Sequence, residues 1–148
     1  MRILMLLGLL SLALGAPALA GSCPPTRPDA LGPFYKPGAP VRSSVGEGYE
    51  LRGVVKSTDG CPPIAGARIE LWLAGPDGRY DDDHRATVVS SEDGTYAFES
   101  NVPPAYGSRP PHIHVRVTAA GHRTLVTQHY PAAGHRSGVF DLVLVPAR

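Results

Sequence analysis

Charge imbalance, cysteine and long apolar runs are all scarce in this sequence. Its 14 Lys and Arg stand against 13 Asp and Glu, a formal net charge of +1, and no run of five basic residues occurs. That excludes the clustered positive charge with which proteins hold nucleic acid or an anionic membrane surface. Beyond residue 20 no apolar run approaches the roughly 20 residues that span a bilayer. The only cysteines are Cys23 and Cys61, and neither has a CxxC partner, which argues against a thiolate metal site. No GxSxG is present, so a serine hydrolase has no nucleophile motif. Amphipathic helical windows are missing too. With 17 Gly and 16 Pro in 148 residues, the chain favours turns over helix without reaching a disordered composition.

What remains is the length and composition of one globular domain, 43% apolar and 18% charged. The N-terminus reads as an export signal. Met1-Arg2 gives a positive start, Ile3 to Leu14 is almost wholly apolar, and Ala18-Leu19-Ala20 is a small-x-small cleavage site. Residues 1–20 are therefore expected to be removed, leaving an exported chain, periplasmic or extracellular, with no membrane attachment. In an oxidising compartment an even cysteine count suggests one disulfide, Cys23–Cys61, with free thiols as the alternative. It would close a loop of about 38 residues and contribute about 4 kcal/mol in the chain-entropy account.

Residues 21–49 are too dense in Pro and Gly for helix or central strand. They read as an extended arm lying across the domain, with Phe34 and Tyr35 as its anchors. From residue 50 to 148 the pattern becomes strand-like. ELRGVVK (50–56), ARIELWL (67–73), residues 86–90 and 95–99 about an SEDG hairpin turn, HIHVRVT (112–118), residues 123–130 and residues 138–145 are the candidates. Ile69, Leu71 and Leu73 share one face. A short helical piece could fit at 131–136. Seven to eight short strands spaced by turns predict an all-β protein, a β-sandwich with a proline-rich N-terminal arm.

RPPHIHV (109–115) is the strongest chemical signal. His112 and His114, two residues apart on a strand, put both imidazoles on one face, half of a metal site. A structural pair of histidines is the competing reading. Tyr80, ending GPDGRY, and Tyr106, in VPPAYG, lie in loops bordering the strands. Two phenolates with two imidazoles suit a hard trivalent iron better than zinc or copper. Tyr35, Tyr49, Tyr96 and Tyr130 read as packing residues. The acids of GRYDDDH (78–84) lack the spacing of a calcium loop and read as a solvated turn.

GRY, DGTYAF, VPPAY, RPPHIHVRV and TLVTQHY, in that order, resemble the catalytic half of the intradiol ring-cleavage dioxygenases, non-haem Fe(III) enzymes. GPFYKPGAP (32–40) and GCPPIAGARIELW (60–72) resemble the family's lead-in. The likeness runs from about Cys23 to Tyr130. It implies Fe(III) held by Tyr80 and His114 equatorially and by Tyr106 and His112 axially, with Tyr106 leaving when substrate chelates. It implies that Arg109 lies beside the substrate ring and that Gln128 stands behind the iron. The implied reaction joins O2 to a catechol-type small molecule and cleaves the ring between its hydroxyl-bearing carbons, giving a muconate-type dicarboxylic acid. Two departures are visible. The helical dimerisation segment of better-known relatives does not precede the first strand, which leaves subunit number open. Only Gly107-Ser108 separates Tyr106 from Arg109, where larger relatives insert a long cover, and this points to an open pocket. The rival reading is a transthyretin-like or carboxypeptidase-regulatory-like binding module, which shares the DG-aromatic hairpin but needs neither RPPHIH nor Tyr80.

Overall fold

The computed structural model describes residue 21 and residues 23–148; the export-signal reading of residues 1–20 lies outside them. Eight strands form, β1 (Gly48–Ser57), β2 (Arg68–Trp72), β3 (Arg85–Val89), β4 (Thr95–Asn101), β5 (Ile113–Thr118), β6 (Leu125–His129), β7 (Ser137–Val139) and β8 (Leu142–Leu144). No helix occurs among the described residues, including 131–136. One sheet has the order β4-β1-β7 with β8 also on β1, and the other β3-β2-β5-β6. The protein is an all-β sandwich.

The alternation that marks each strand also builds the core. Leu51 and Val55 of β1, Ile69 and Leu71 of β2, Ile113, Val115 and Val117 of β5, and Leu142 and Leu144 of β8 are fully buried between the sheets. Ile69, Leu71 and Leu73 do share the buried side.

Two expectations need correction. The SEDG turn forms, with Gly94 at φ 78° and Ser91 N–H bonded to the Thr95 carbonyl, but it does not join a hairpin ladder. β3 pairs with β2 and β4 with β1, so the chain changes sheets there. Ser90 explains the split, because its hydroxyl accepts from Ala67 N–H at 2.9 Å and donates to the Ile64 carbonyl at 2.7 Å. Those bonds keep the end of β3 on the β2 side. The expected strand at 138–145 is also two strands, both parallel to β1. Between them Asp141 Oδ1 takes Val54 N–H at 3.0 Å, so a side chain replaces a ladder bond.

The arm precedes β1 and covers the outer face of the β3-β2-β5-β6 sheet. Cys23 and Cys61 are joined by a disulfide, tying its start to the β1–β2 loop. Asp29 N–H bonds the Val126 carbonyl along β6. At the opposite edge Val41 bridges Thr87 of β3. Thr87 also gives its hydroxyl proton to the Ala39 carbonyl at 2.8 Å. Both edges of this sheet are thus occupied by the arm, which protects them from pairing with other chains. The outer face it covers carries the site.

Candidate metal centre

The cross-strand register places Trp72, His114 and Gln128 in one row across β2, β5 and β6. His112 lies just before β5 and points to the same outer side as His114. The two-residue spacing brings the rings edge to face, centroids 4.8 Å apart. Both imidazoles are almost wholly buried, 3% and 2% exposed, because the arm roofs them. Gly32 is the contact point. At φ +73° it packs so closely that a Cβ there would lie 3.0 Å from His114 Cε1. Trp72 stacks on the face of His114 with centroids 4.9 Å apart and planes 4° apart.

Tyr80 reaches this pair from the β2–β3 loop. Its Oη is 3.1 Å from His112 Nε2 and 3.2 Å from His114 Nε2, and the two Nε2 atoms are 3.2 Å apart. Three donor atoms therefore converge on one point. Two metal–donor bonds of about 2.1 Å at a right angle would separate their donors by about 3.0 Å, close to this triangle. His112 Nδ1 faces the Pro110 carbonyl at 2.8 Å. That partner fixes the tautomer and leaves Nε2 with its lone pair outward, a common support for metal-binding imidazoles. His114 Nδ1 is buried with no hydrogen-bond partner.

Burial governs the protonation of the set. It pushes the Tyr80 phenol up to about 12, so the phenol keeps its proton at neutral pH unless a cation displaces it. His114 is pushed down to about 4, by burial first and then by its neighbours His112 and Arg109. A neutral imidazole is the form that binds a metal. Among the described residues no three His, Cys, Asp or Glu gather into a metal cluster. A cation held by His112 and His114 therefore draws on tyrosine, which suits a hard ion such as Fe(III).

Tyr106 stands beside the triangle. Its ring meets Tyr80 edge to face, centroids 5.2 Å apart, and Phe34 in the same way at 5.4 Å. Reciprocal backbone bonds between Tyr106 and Arg109 close a tight turn, with Gly107 at φ 56°. That turn carries Arg109 back over the sheet, where Nη2 donates to Gln128 Oε1 at 2.7 Å and to Tyr130 Oη at 3.0 Å. All six residues singled out from the sequence for the site, Tyr80, Tyr106, Arg109, His112, His114 and Gln128, are thus gathered on one face.

Other residues of the site were not foreseen in these roles. Phe34, expected only as an anchor, lies parallel to Tyr80 with centroids 4.3 Å apart. A cavity of about 480 Å³ opens beside that stack, lined also by Tyr35, Lys36, Asp82 and Arg85. It borders the donor triangle through Tyr80. The acidic loop does more than meet solvent, since Asp82 pairs with Lys36 of the arm at 2.6 Å. Tyr130, read as a packing residue, belongs to the Arg109 network. His129, its neighbour, faces the other way, into the core, 2.7 Å from Tyr49 Oη. His84 faces Asp81 at 2.7 Å and His122 faces Ser57 Oγ at 3.1 Å.

The all-β sandwich thus brings two imidazoles and a phenol together on its outer sheet face. No family model matches the chain. The chain is 34% identical over 143 residues to a chlorocatechol 1,2-dioxygenase from a Pseudomonas species, covering 74% of this chain and 57% of the relative. It is 36% identical over 135 residues to a hydroxyquinol 1,2-dioxygenase from Nocardioides simplex, covering 69% and 46%. Among solved structures it resembles the dioxygenase domain of a dioxygenase–carbohydrate-binding protein fusion from the cellulolytic bacterium Streptomyces sp. SirexAA-E. The TM-score there is 0.73 at 29% identity, over 83% of this chain and 99% of that domain. The chain belongs to the intradiol ring-cleavage dioxygenase family. It spans about half the length of the curated relatives it matches.

Proposed function

We infer that this chain is an exported, Fe(III)-dependent intradiol dioxygenase acting on a catechol-type aromatic. The observation that carries the reading is the Tyr80–His112–His114 donor triangle, closed to 3.1–3.2 Å, on a sandwich related to catechol-cleaving enzymes. The disulfide and the signal-like residues 1–20 support export.

Tyr80, His112, His114 and Tyr106 would hold the iron. Bound ferric iron supplies Lewis acidity and a two-point template for the two catechol oxygens. The chain supplies the rest. Tyr106 opens a two-residue turn and packs edge to face on Tyr80 and Phe34; its phenolate oxygen, once released from the iron, would accept a proton from the incoming diol. Gly32 of the arm packs against His114 and shields it from water, while Phe34 covers Tyr80. Arg109, held over the same face by Gln128 and Tyr130, stabilises negative charge that develops on the ring. Cleavage falls between the two hydroxyl-bearing carbons. Both atoms of O2 enter the two carboxyl groups of a muconate-type acid, and no external reductant is consumed. The short Tyr106–Arg109 turn leaves the pocket open to substituted rings.

The experiment is turnover of iron-loaded protein with catechol under 18O2, read by mass spectrometry. A ring-opened dicarboxylic acid carrying both labelled atoms supports the reading. Unchanged catechol, or an aldehyde-acid from cleavage beside the diol, contradicts it. Comparing catechol, hydroxyquinol and bulkier alkyl catechols tests the open pocket, and strict preference for unsubstituted catechol would count against it.

A further inference from the structure

Both acceptors that hold Arg109 are themselves fastened to adjacent residues of the arm. Gln128 Nε2 donates to the Ala30 carbonyl at 2.6 Å. Tyr130 Oη donates to Asp29 Oδ2 at 2.8 Å, while the other carboxylate oxygen, Asp29 Oδ1, accepts Ala30 N–H at 2.6 Å. Asp29 N–H in turn bonds the Val126 carbonyl at 2.9 Å, so the arm is laid along β6 at this point. The chain of contacts is Asp29 to Tyr130 to Arg109, with Gln128 as the second brace.

Proton placement decides what this chain does. Tyr130 has one hydroxyl proton and two acceptors in reach, Asp29 Oδ2 and Gln128 Oε1, the latter at 2.9 Å. A carboxylate is the stronger acceptor, because hydrogen bonds to an ionised group are about twice as strong as neutral ones. The Asp29 carboxyl is held below its ordinary value, by the Ala30 N–H foremost and then by the Tyr130 hydroxyl, so it is ionised at neutral pH. With its proton on Asp29, Tyr130 turns lone pairs toward Arg109. Gln128 Oε1 is then free for the guanidinium as well. Without the carboxylate, the Tyr130 proton goes to Gln128 Oε1 and competes with Arg109 for it.

We propose that Asp29, on the N-terminal arm, is a positioning residue that acts through Tyr130 to aim the Arg109 guanidinium over the metal-binding face. Its kinetic consequence rests on the dioxygenase reading; its effect on Arg109 does not. The order of the arm over the sheet thereby sets the electrostatics of the site, so one segment both roofs the donors and orients the charge beside them.

The test has two arms. In metal-free protein, the Arg109 guanidinium 15N–1H signals should be resolved in the wild type and should broaden in Asp29→Asn and in Tyr130→Phe, with Asp29→Glu restoring them in part. In iron-loaded protein with catechol, Asp29→Asn and Tyr130→Phe should each lower kcat about tenfold with KM within twofold. Their combination should cost little more than either alone, because they act in series. Unchanged Arg109 signals in Asp29→Asn overturn the proposal whatever the activity. Broadening that occurs only together with rapid proteolysis of residues 24–47 also overturns it, because Asp29 would then be anchoring the arm rather than orienting Arg109. If the wild-type protein fails to cleave catechol, the dioxygenase reading fails while the resonance measurement still decides the role of Asp29.

Discussion

His114 lies flat on Trp72, ring planes 4° apart, because their strands pair in a register that sets them side by side. The stack fixes the imidazole plane, and Gly32 of the arm packs against the ring at Cε1. The ring is thus held by β2 and by a segment 40 residues before Trp72 in the chain, which is the kind of rigid support a metal ligand needs.

The Gly32 contact gives the first prediction. Gly32→Ala adds a Cβ 3.0 Å from His114 Cε1, at a positive φ. It should cost about 1–2 kcal/mol of stability and weaken iron binding about tenfold. Gly38→Ala has a similar φ but open space around it. It should cost similar stability and leave iron stoichiometry unchanged. Thermal melts paired with iron titrations separate the two.

Tyr80 gives the second. Its phenol, pushed up to about 12 by burial, is protonated before loading, so ferric iron must displace that proton. Loading followed in a pH-stat should release one proton fewer in Tyr80→Phe than in the wild type. Turnover in that variant should fall by at least a hundredfold.

The third concerns pH and stability, at His129 rather than at the site. Burial between the sheets pushes His129 down to about 4 from an ordinary 6.5. The unfolded chain therefore binds a proton at this position between those values while the folded chain does not. Its contribution is fully present above about pH 6.5 and falls as pH drops toward 4, where the loss reaches about 3 kcal/mol. His129→Gln, which keeps a partner for Tyr49, should flatten this part of the stability profile, measured by urea unfolding at pH 7.5, 5.5 and 4.5.

The disulfide gives the fourth. Cys23–Cys61 spans 38 residues and should contribute about 4 kcal/mol in the chain-entropy account. The Cys23→Ser, Cys61→Ser double variant should unfold at correspondingly lower urea concentration, and reductant should shift only the wild type.

Local patterning made most of this architecture readable. ARIELWL announces β2 and its buried face because side-chain alternation is a property of the strand alone. The same local rule could not show that β3 and β4 enter different sheets, since Ser90 settles that through partners at Ala67 and Ile64. Nor could it split β7 from β8, which depends on Asp141 replacing a ladder bond to β1. At the site, His112 and His114 were legible from spacing. Tyr80 and Tyr106 were legible as tyrosines in loops bordering the strands, and their exact ligand roles, with Arg109 and Gln128, needed the family resemblance. Tyr130 was misread because its partners, Asp29 and Arg109, lie 101 and 21 residues away, and nothing in its immediate sequence distinguishes a packed ring from one whose hydroxyl bridges two charges.

The proposed function stands or falls with a ferric centre that has tyrosine ligands and binds a catechol. The most direct measurement is the visible spectrum of the iron-loaded protein, before and after anaerobic catechol and then air. The account predicts a red-brown protein with a tyrosinate-to-iron charge-transfer band, which depends on Tyr80. Catechol should shift that band, and air should restore it as ring-opened acid appears. A protein that stays colourless after iron loading, or whose band ignores catechol, would contradict it.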